Sequence, residues 1–243
     1  MLFDAHVHIE DRKLVKLQEL KKIGCIANAA SLEEYMFLRD LQKENPNLYI
    51  SAGIHPWDVE KQDMSKMQSV LEDTSIVGEI GLDNVWCEVD EQLQKEIFDK
   101  QLLFAYKHQK PVILHIKGKE KIAYEMIKKY KNRYLVHWYS CYEYLEEFIR
   151  LGCWFTIGPS IAYDSSVYET AKKVPIDRIL IETDGLSACA WCEKREVLLD
   201  EYPLILERSM KQIAEIRKIS VASLEHIMEK NLYTFIGGEE KSF

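Results

Sequence analysis

The sequence predicts a single-domain α/β protein, a (β/α)8 TIM barrel spanning residues 1–243. Three observations predict it. Short β-branched runs alternate with longer amphipathic stretches, the pattern of parallel strands joined by crossover helices. Eight such units fit into 243 residues, the size of a closed barrel. The first strand ends in His6-Val7-His8 and carries no glycine-rich turn, which argues against an open doubly wound sheet.

The predicted strands are Leu2–His8, Cys25–Ala29, Leu48–His55, Ser75–Leu82, Pro111–Ile116, Tyr134–Trp138, Cys153–Gly158 and Arg178–Asp184. Between them lie helical patterns at Asp11–Lys22, Leu32–Glu44, Met64–Asp73, Glu91–Lys110, Lys119–Lys131, Tyr142–Leu151 and Ser166–Val174. Two further helices, Tyr202–Lys218 and Val221–Phe235, close the chain. There is no internal repeat, no low-complexity tract and no Pro/Gly/Ser linker, so nothing divides the chain.

Composition excludes several classes. With 47% hydrophobic and 30% charged residues the chain is too apolar for intrinsic disorder. No apolar run approaches the roughly 18 residues that span a bilayer. The six cysteines are scattered and irregularly spaced, as expected of reduced thiols in a cytoplasmic protein. The N-terminus shows neither a basic nor an apolar segment, so no signal peptide is expected. The protein is expected to be a monomer. Its net charge of −8 rules out coating DNA by bulk electrostatics. Any affinity for a nucleic acid must come from a few lysines or from bound metal.

Chemistry in this fold sits at the C-terminal ends of the strands. Strand one ends in His6 and His8, strand three in His55, strand five in His115 and strand six in His137. Strand four carries Glu79 and then Asp83, and strand eight ends in Asp184. Five of the seven histidines fall at these ends; His108 and His226 lie on predicted helices. The period of a strand places Asp4, His6 and His8 on one face, with Phe3, Ala5 and Val7 on the other. Two imidazoles so spaced can grip one metal ion. Asp4 lies deeper and is expected to accept a hydrogen bond from an imidazole N–H. Histidine with carboxylate is a ligand set for zinc, manganese or iron, and Glu79 is placed to bridge two ions.

These stretches resemble the TatD-type metal-dependent hydrolases, within the amidohydrolase-like barrels. The resemblance rests on Asp4-Ala-His-Val-His8, Gly53-Ile-His-Pro56, Gly78-Glu-Ile-Gly-Leu-Asp83, Pro111-Val-Ile-Leu-His115, His137 with Trp-Tyr-Ser after it, and Glu182-Thr-Asp184. It runs from about residue 3 to residue 236 and includes Gln101-Leu-Leu-Phe-Ala105 and Asn231-Leu-Tyr-Thr-Phe235. It implies two divalent metal ions (Zn, Mn, Mg or Fe). His6, His8 and Asp184 would hold one ion and His115 and His137 the other, with Glu79 bridging. His55 would face the substrate's phosphate. Similar proteins include 3′-to-5′ exonucleases and other deoxyribonucleases. The expected substrate is therefore single-stranded DNA or DNA ends.

Two divalent ions among these carboxylates leave the site slightly positive, a local attractor for phosphate on an acidic protein. Such a pair generates hydroxide near neutral pH and stabilises a leaving oxygen. Asp184 is expected to orient the attacking water and take its proton, which makes Asp184 and Glu79 the catalytic pair.

The chain departs from the family in two places. An arginine often stands two residues after the fifth-strand histidine; here it is Lys117, which offers phosphate a point charge but no bidentate fork. After Asp184 the family turns through small residues and proline, whereas this chain reads Gly185-Leu-Ser-Ala-Cys-Ala-Trp-Cys192, an unusual loop beside the site. Cys189 and Cys192 form a single C-x-x-C, with neither the further ligands of a zinc site nor a thioredoxin-like context. Trp57, Trp86, Trp138, Tyr139 and Trp191 fall in or near the predicted mouth loops, where aromatics stack bases or pack the loop. Lys128–Arg133 reads as a solvated helix end. Glu182 shares the inward face with Asp184 and is expected to bond a ligand histidine.

Three functions compete. The first is a metal-dependent phosphodiesterase acting on DNA. The second is an amide or aminoacyl-ester hydrolase, because the same site chemistry attacks carbon or phosphorus. The third is a binding or regulatory protein that keeps the fold without turnover; against it, every ligand position is filled.

Overall fold

The computed structural model describes residues 1–238. The predicted domain, residues 1–243, therefore ends in five residues outside those described. Eight parallel strands pair in chain order as one sheet: β1 (Phe3–Val7), β2 (Gly24–Ala29), β3 (Leu48–Ala52), β4 (Ile76–Asp83), β5 (Val112–Lys117), β6 (Tyr134–Val136), β7 (Trp154–Ile157) and β8 (Ile179–Ile181). The barrel closes where Asp184 N–H donates to the His6 carbonyl at 3.0 Å. This is the (β/α)8 barrel that the alternation predicts.

The crossover helices are α1 (Arg12–Lys21), α2 (Leu32–Gln42), α3 (Met64–Asp73), α4 (Glu91–Lys107), α5 (Glu120–Ile127), α6 (Leu145–Arg150) and α7 (Ser165–Lys173). A short helix, α8 (Leu186–Glu193), follows β8, and α9 (Tyr202–Arg217) and α10 (Val221–Ile236) complete the outer ring. The starts are written in the sequence. Asp11, Ser31, Asp63, Asp90, Asp164 and Ser220 each accept an N–H of the first turn with their side chains. Strands buried on both faces read as near-continuous apolar runs, and β5 (Val-Ile-Leu-His-Ile) shows why.

Several strands stop short of their predicted ends. β3 ends at Ala52 rather than His55, β6 at Val136 rather than Trp138, and β8 at Ile181 rather than Asp184. In each case the polar residues beyond have left the ladder to line the mouth. The segment 186–193 is also corrected: it is helix α8, not loop. Its eight residues form about two turns of helix once Gly185, at φ +95°, has turned the chain. A Cβ on Gly185 would stand 2.9 Å from the His8 carbonyl oxygen, so β1 and β8 meet closely only because glycine is here.

Among the described residues, no helix is long and apolar enough to cross a membrane.

Candidate metal centre

The strand ends bring Glu79 to the middle of the mouth, buried, with imidazoles on both sides. Its two oxygens face different sets. Oε2 lies 3.4 Å from His6 Nε2 and 3.4 Å from His8 Nε2. Asp184 Oδ1 completes this set, 3.3 Å from His6 Nε2 and 3.6 Å from His8 Nε2. Oε1 lies 2.7 Å from both His115 Nδ1 and His137 Nε2, which are 3.1 Å apart.

The first set has the spacing of ligands rather than of hydrogen-bond partners. Atoms about 2.0–2.1 Å from a shared zinc at tetrahedral angles lie roughly 3.3–3.4 Å apart. His6 Nε2 is buried and has no hydrogen-bond partner among the described residues, although two carboxylates face it. An orphaned imidazole nitrogen between carboxylates fits a cation. The second set is drawn in to hydrogen-bond distance. The donor chemistry thus suits a divalent ion on each side of Glu79.

Electrostatics agree. Burial opposes ionisation of Glu79, but His137, His6, His55 and His115 outweigh it and hold the carboxyl well below its usual range. Burial also works against Asp184, yet the His6 contact and neighbouring imidazoles bring it down to about 2. Burial penalises a charged His6, and Glu79 and Asp184 overcome that to push it up. The carboxylates therefore impose a field that favours positive charge among the imidazoles.

Tautomers are set from outside. Asp83 Oδ2 accepts His115 Nε2–H at 2.8 Å, which turns Nδ1 toward Glu79. The same oxygen accepts Trp57 Nε1–H at 2.7 Å, while Oδ1 takes the N–H groups of Val85 and Trp86 at 2.7 and 2.9 Å. The strand-four position alone marked Asp83 in the sequence; its role depends on the register Asp83↔Lys117, which seats it beside His115. His55 Nδ1 accepts the Trp57 N–H at 3.2 Å, so in the neutral ring Nε2 carries the proton. Burial lowers the His55 pKa and keeps the ring neutral. Its Nε2 then points into the site as a donor, 3.7 Å from Glu79 Oε1, although His55 also stands close enough to Glu79 and His115 for the three to hold an ion.

Asp4 corrects an expectation. It meets no imidazole N–H. It accepts from Thr183 N at 3.0 Å, Thr183 Oγ1 at 2.5 Å, Tyr202 OH at 2.8 Å and the His6 backbone N–H at 3.3 Å. One layer down the barrel, the donors within reach belong to β8's end and to α9. Glu182 Oε2 lies 3.6 Å from His137 Nδ1, beyond hydrogen-bond length, and neither atom has a hydrogen-bond partner among the described residues. Lys117 donates to the Trp138 carbonyl at 2.7 Å and reaches Ser140 Oγ at 3.4 Å, half-buried above His115.

Of the five aromatics expected at the mouth, Trp138 and Tyr139 are instead buried. Trp138 Nε1 donates to Ser160 Oγ at 2.8 Å, and its ring fills the space a Cβ on Gly158 would need. Trp57, Trp86 and Trp191 are exposed. Cys189 is buried, with Sγ 3.4 Å from the Thr183 carbonyl; Cys192 Sγ sits 3.5 Å from Tyr163 OH, and both thiols are free.

The family model described as TatD related DNase matches residues 3–237. This chain belongs to the TatD family. Relatives include YabD of Bacillus subtilis, 25% identical over 95% of this chain and 97% of the relative. Another, from Methanocaldococcus jannaschii, is 25% identical over 96% of this chain and 95% of the relative. Both are described as uncharacterized metal-dependent hydrolases. Among solved structures, the TatD homologue YJJV of Escherichia coli superposes with a TM-score of 0.85 at 22% identity, covering 98% of each chain. A TatD family hydrolase of Entamoeba histolytica superposes at 0.78 with 15% identity over 96% and 97%. The TatD chain described here is thus a metal-dependent hydrolase.

Proposed function

We propose that this TatD-family hydrolase cleaves phosphodiesters at the ends of single-stranded DNA, as a 3′-to-5′ exonuclease. The observation that carries the reading is Glu79, whose two oxygens face two separate ligand sets. His6, His8 and Asp184 would hold one divalent ion and His115 and His137 the other, with Glu79 shared. Bound there, such ions supply Lewis acidity and a nucleophile formed near neutral pH.

The protein's own groups do the rest. Asp184 is ionised at neutral pH and its side chain is 22% exposed, the most accessible carboxylate of the set. It accepts the proton of the attacking water. His55 Nε2–H and Lys117 Nζ are the donors available to non-bridging phosphate oxygens. The buried faces of His115 and His137 keep water out beneath the reacting atoms.

The test is hydrolysis of 3′- and 5′-end-labelled single-stranded DNA by metal-reconstituted protein, with Glu79→Ala and chelator as controls. Stepwise shortening from the 3′ end that needs metal and Glu79 is expected. Metal-loaded protein that leaves DNA intact with magnesium, manganese and zinc refutes the reading.

One observation favours a second reading. A cavity of about 500 Å3 opens beside His8, lined by Glu10, Asn28, Glu33, Glu34 and Phe37. Three glutamates repel a phosphate chain and suit an ammonium group. An aminoacyl ester, with its amine in this cavity and its carbonyl at Glu79, would use it. Hydrolysis of amino-acid esters, weakened by Glu33→Gln and absent with N-acetylated esters, is the outcome expected if this reading holds.

A further inference from the structure

Loops from opposite sides of the barrel touch above the metal centre. In an eight-stranded barrel β4 and β8 stand four strands apart in either direction, so their loops face each other across the mouth. Trp86 follows β4 and Trp191 lies on α8 after β8. Their rings meet edge to face with centroids 5.2 Å apart. Both remain more than half exposed, 53% and 61%, so the contact is a bridge in solvent rather than part of the core.

Each foot of the bridge is tied to the site. Trp86 N–H donates to Asp83 Oδ1, and the other oxygen of that carboxylate holds His115. On the far side, α8 begins one residue after Gly185, which follows Asp184 directly. The helix is pinned by buried Cys189, by Ser187 Oγ donating to Glu10 at 2.8 Å, and by Glu193 pairing with Arg195 and Arg208. The bridge therefore runs from the His115 side of the centre to the Asp184 side, above Glu79.

We infer that Trp86 and Trp191 form an aromatic arch that limits the substrate to a chain with a free end. A strand laid across both ligand sets of Glu79 passes beneath the arch. A linear strand can do so end first, and a closed circle cannot while the rings touch. The inference rests on the phosphodiester reading. It assigns to Trp86 and Trp191 a specificity-determining role independent of the metal ligands. It also gives a use to the unusual segment after Asp184, which supplies one ring of the pair.

The test compares linear and circular single-stranded DNA of the same sequence, with wild type, Trp86→Ala and Trp191→Ala, all metal-loaded. Far-ultraviolet circular dichroism reads the ring pair directly, because the strong short-wavelength transitions of two coupled indoles give an exciton couplet that either variant removes. Expected are a couplet in wild type, a preference for linear DNA of about tenfold or more, and a fall to below about threefold in both variants through gained cleavage of circles. A wild type without the couplet overturns the arch whatever the substrate. A couplet with DNA cleaved and an unchanged linear-to-circular ratio in the variants overturns the arch alone. A couplet with neither DNA form bound nor cut overturns the nuclease reading and the substrate limit together.

Discussion

Replacing Asp83 with asparagine should weaken metal binding without dismantling the fold. The carboxylate accepts four hydrogen bonds: His115 Nε2–H and Trp57 Nε1–H on one oxygen, the Val85 and Trp86 N–H groups on the other. Asparagine keeps a single acceptor oxygen. Turned toward Val85 and Trp86, it preserves the loop and sets its NH2 against two donors. Two bonds are lost, each worth about 1.5–3 kcal/mol when the acceptor is charged. His115 can relieve its share by moving the proton to Nδ1, but Nδ1 is the atom that faces Glu79 at 2.7 Å. An ion must then displace that proton. The cost should appear as a roughly 10–100-fold loss of affinity for an ion held by His115, about 1.4–2.8 kcal/mol. Burial resists ionisation of Asp83, but the bonds from His115, Trp86 and Trp57 hold its carboxyl far below the usual range, so the wild-type acceptor stays charged. Calorimetric titration of zinc into metal-free protein measures the loss. Thermal melts of the metal-free forms separate it from general damage. Zinc binding within threefold of wild type throughout the titration would refute the coupling through His115.

Other outcomes follow from the same geometry. Asp184→Asn should weaken the ion held with His6 and His8 and, at saturating metal, lose hydrolysis by roughly 10²–10⁴-fold, the usual worth of a positioned base; near-normal turnover with metal bound would remove Asp184 from that role. Gly81→Ala should unfold the barrel locally, because the new Cβ would stand 1.8 Å from the His115 carbonyl oxygen. A loss of about 4 kcal/mol or more is expected in urea unfolding, and a smaller change would mean that β4 and β5 part easily. Glu201 is held down at about 2 by Arg195, which bonds both its oxygens, and by the Leu198 N–H. A depressed carboxyl stabilises the fold above its ordinary value of 4.5 and loses that contribution as pH falls from there toward about 2. The melting-temperature gap between wild type and Glu201→Gln should therefore be present at pH 6 and shrink at pH 3. A gap that stays constant across that range would count against the ion pair.

Much of this was legible in the linear chain. Alternating strands and helices pointed to parallel strands, and their number together with the missing glycine-rich turn favoured closure. Six helices begin within one residue of their predicted starts, where Asp11, Ser31, Asp63, Asp90, Asp164 and Ser220 cap them. The strand-end histidines and acids named the residues that now surround Glu79. These features are legible because they are periodic or local: a strand's alternation and a helix cap each depend on neighbours in sequence. The two ligand sets flanking Glu79 came with the resemblance, but which of its oxygens faces which set was not legible, because that depends on how the carboxylate is turned. Nor was the partner of Asp4, where sequence reasoning chose a nearby imidazole and the barrel supplied Thr183 and Tyr202 from the far end of the chain. Two of the five candidate mouth aromatics proved to be core, since a strand end does not reveal whether the next ring turns in or out. The helical form of the segment after Asp184 and the meeting of Trp86 with Trp191 belong to the tertiary structure alone. Composition and period determine which side chains reach the mouth. Only closure of the barrel, which sets residues more than a hundred positions apart within a few ångströms, decides which of them touch.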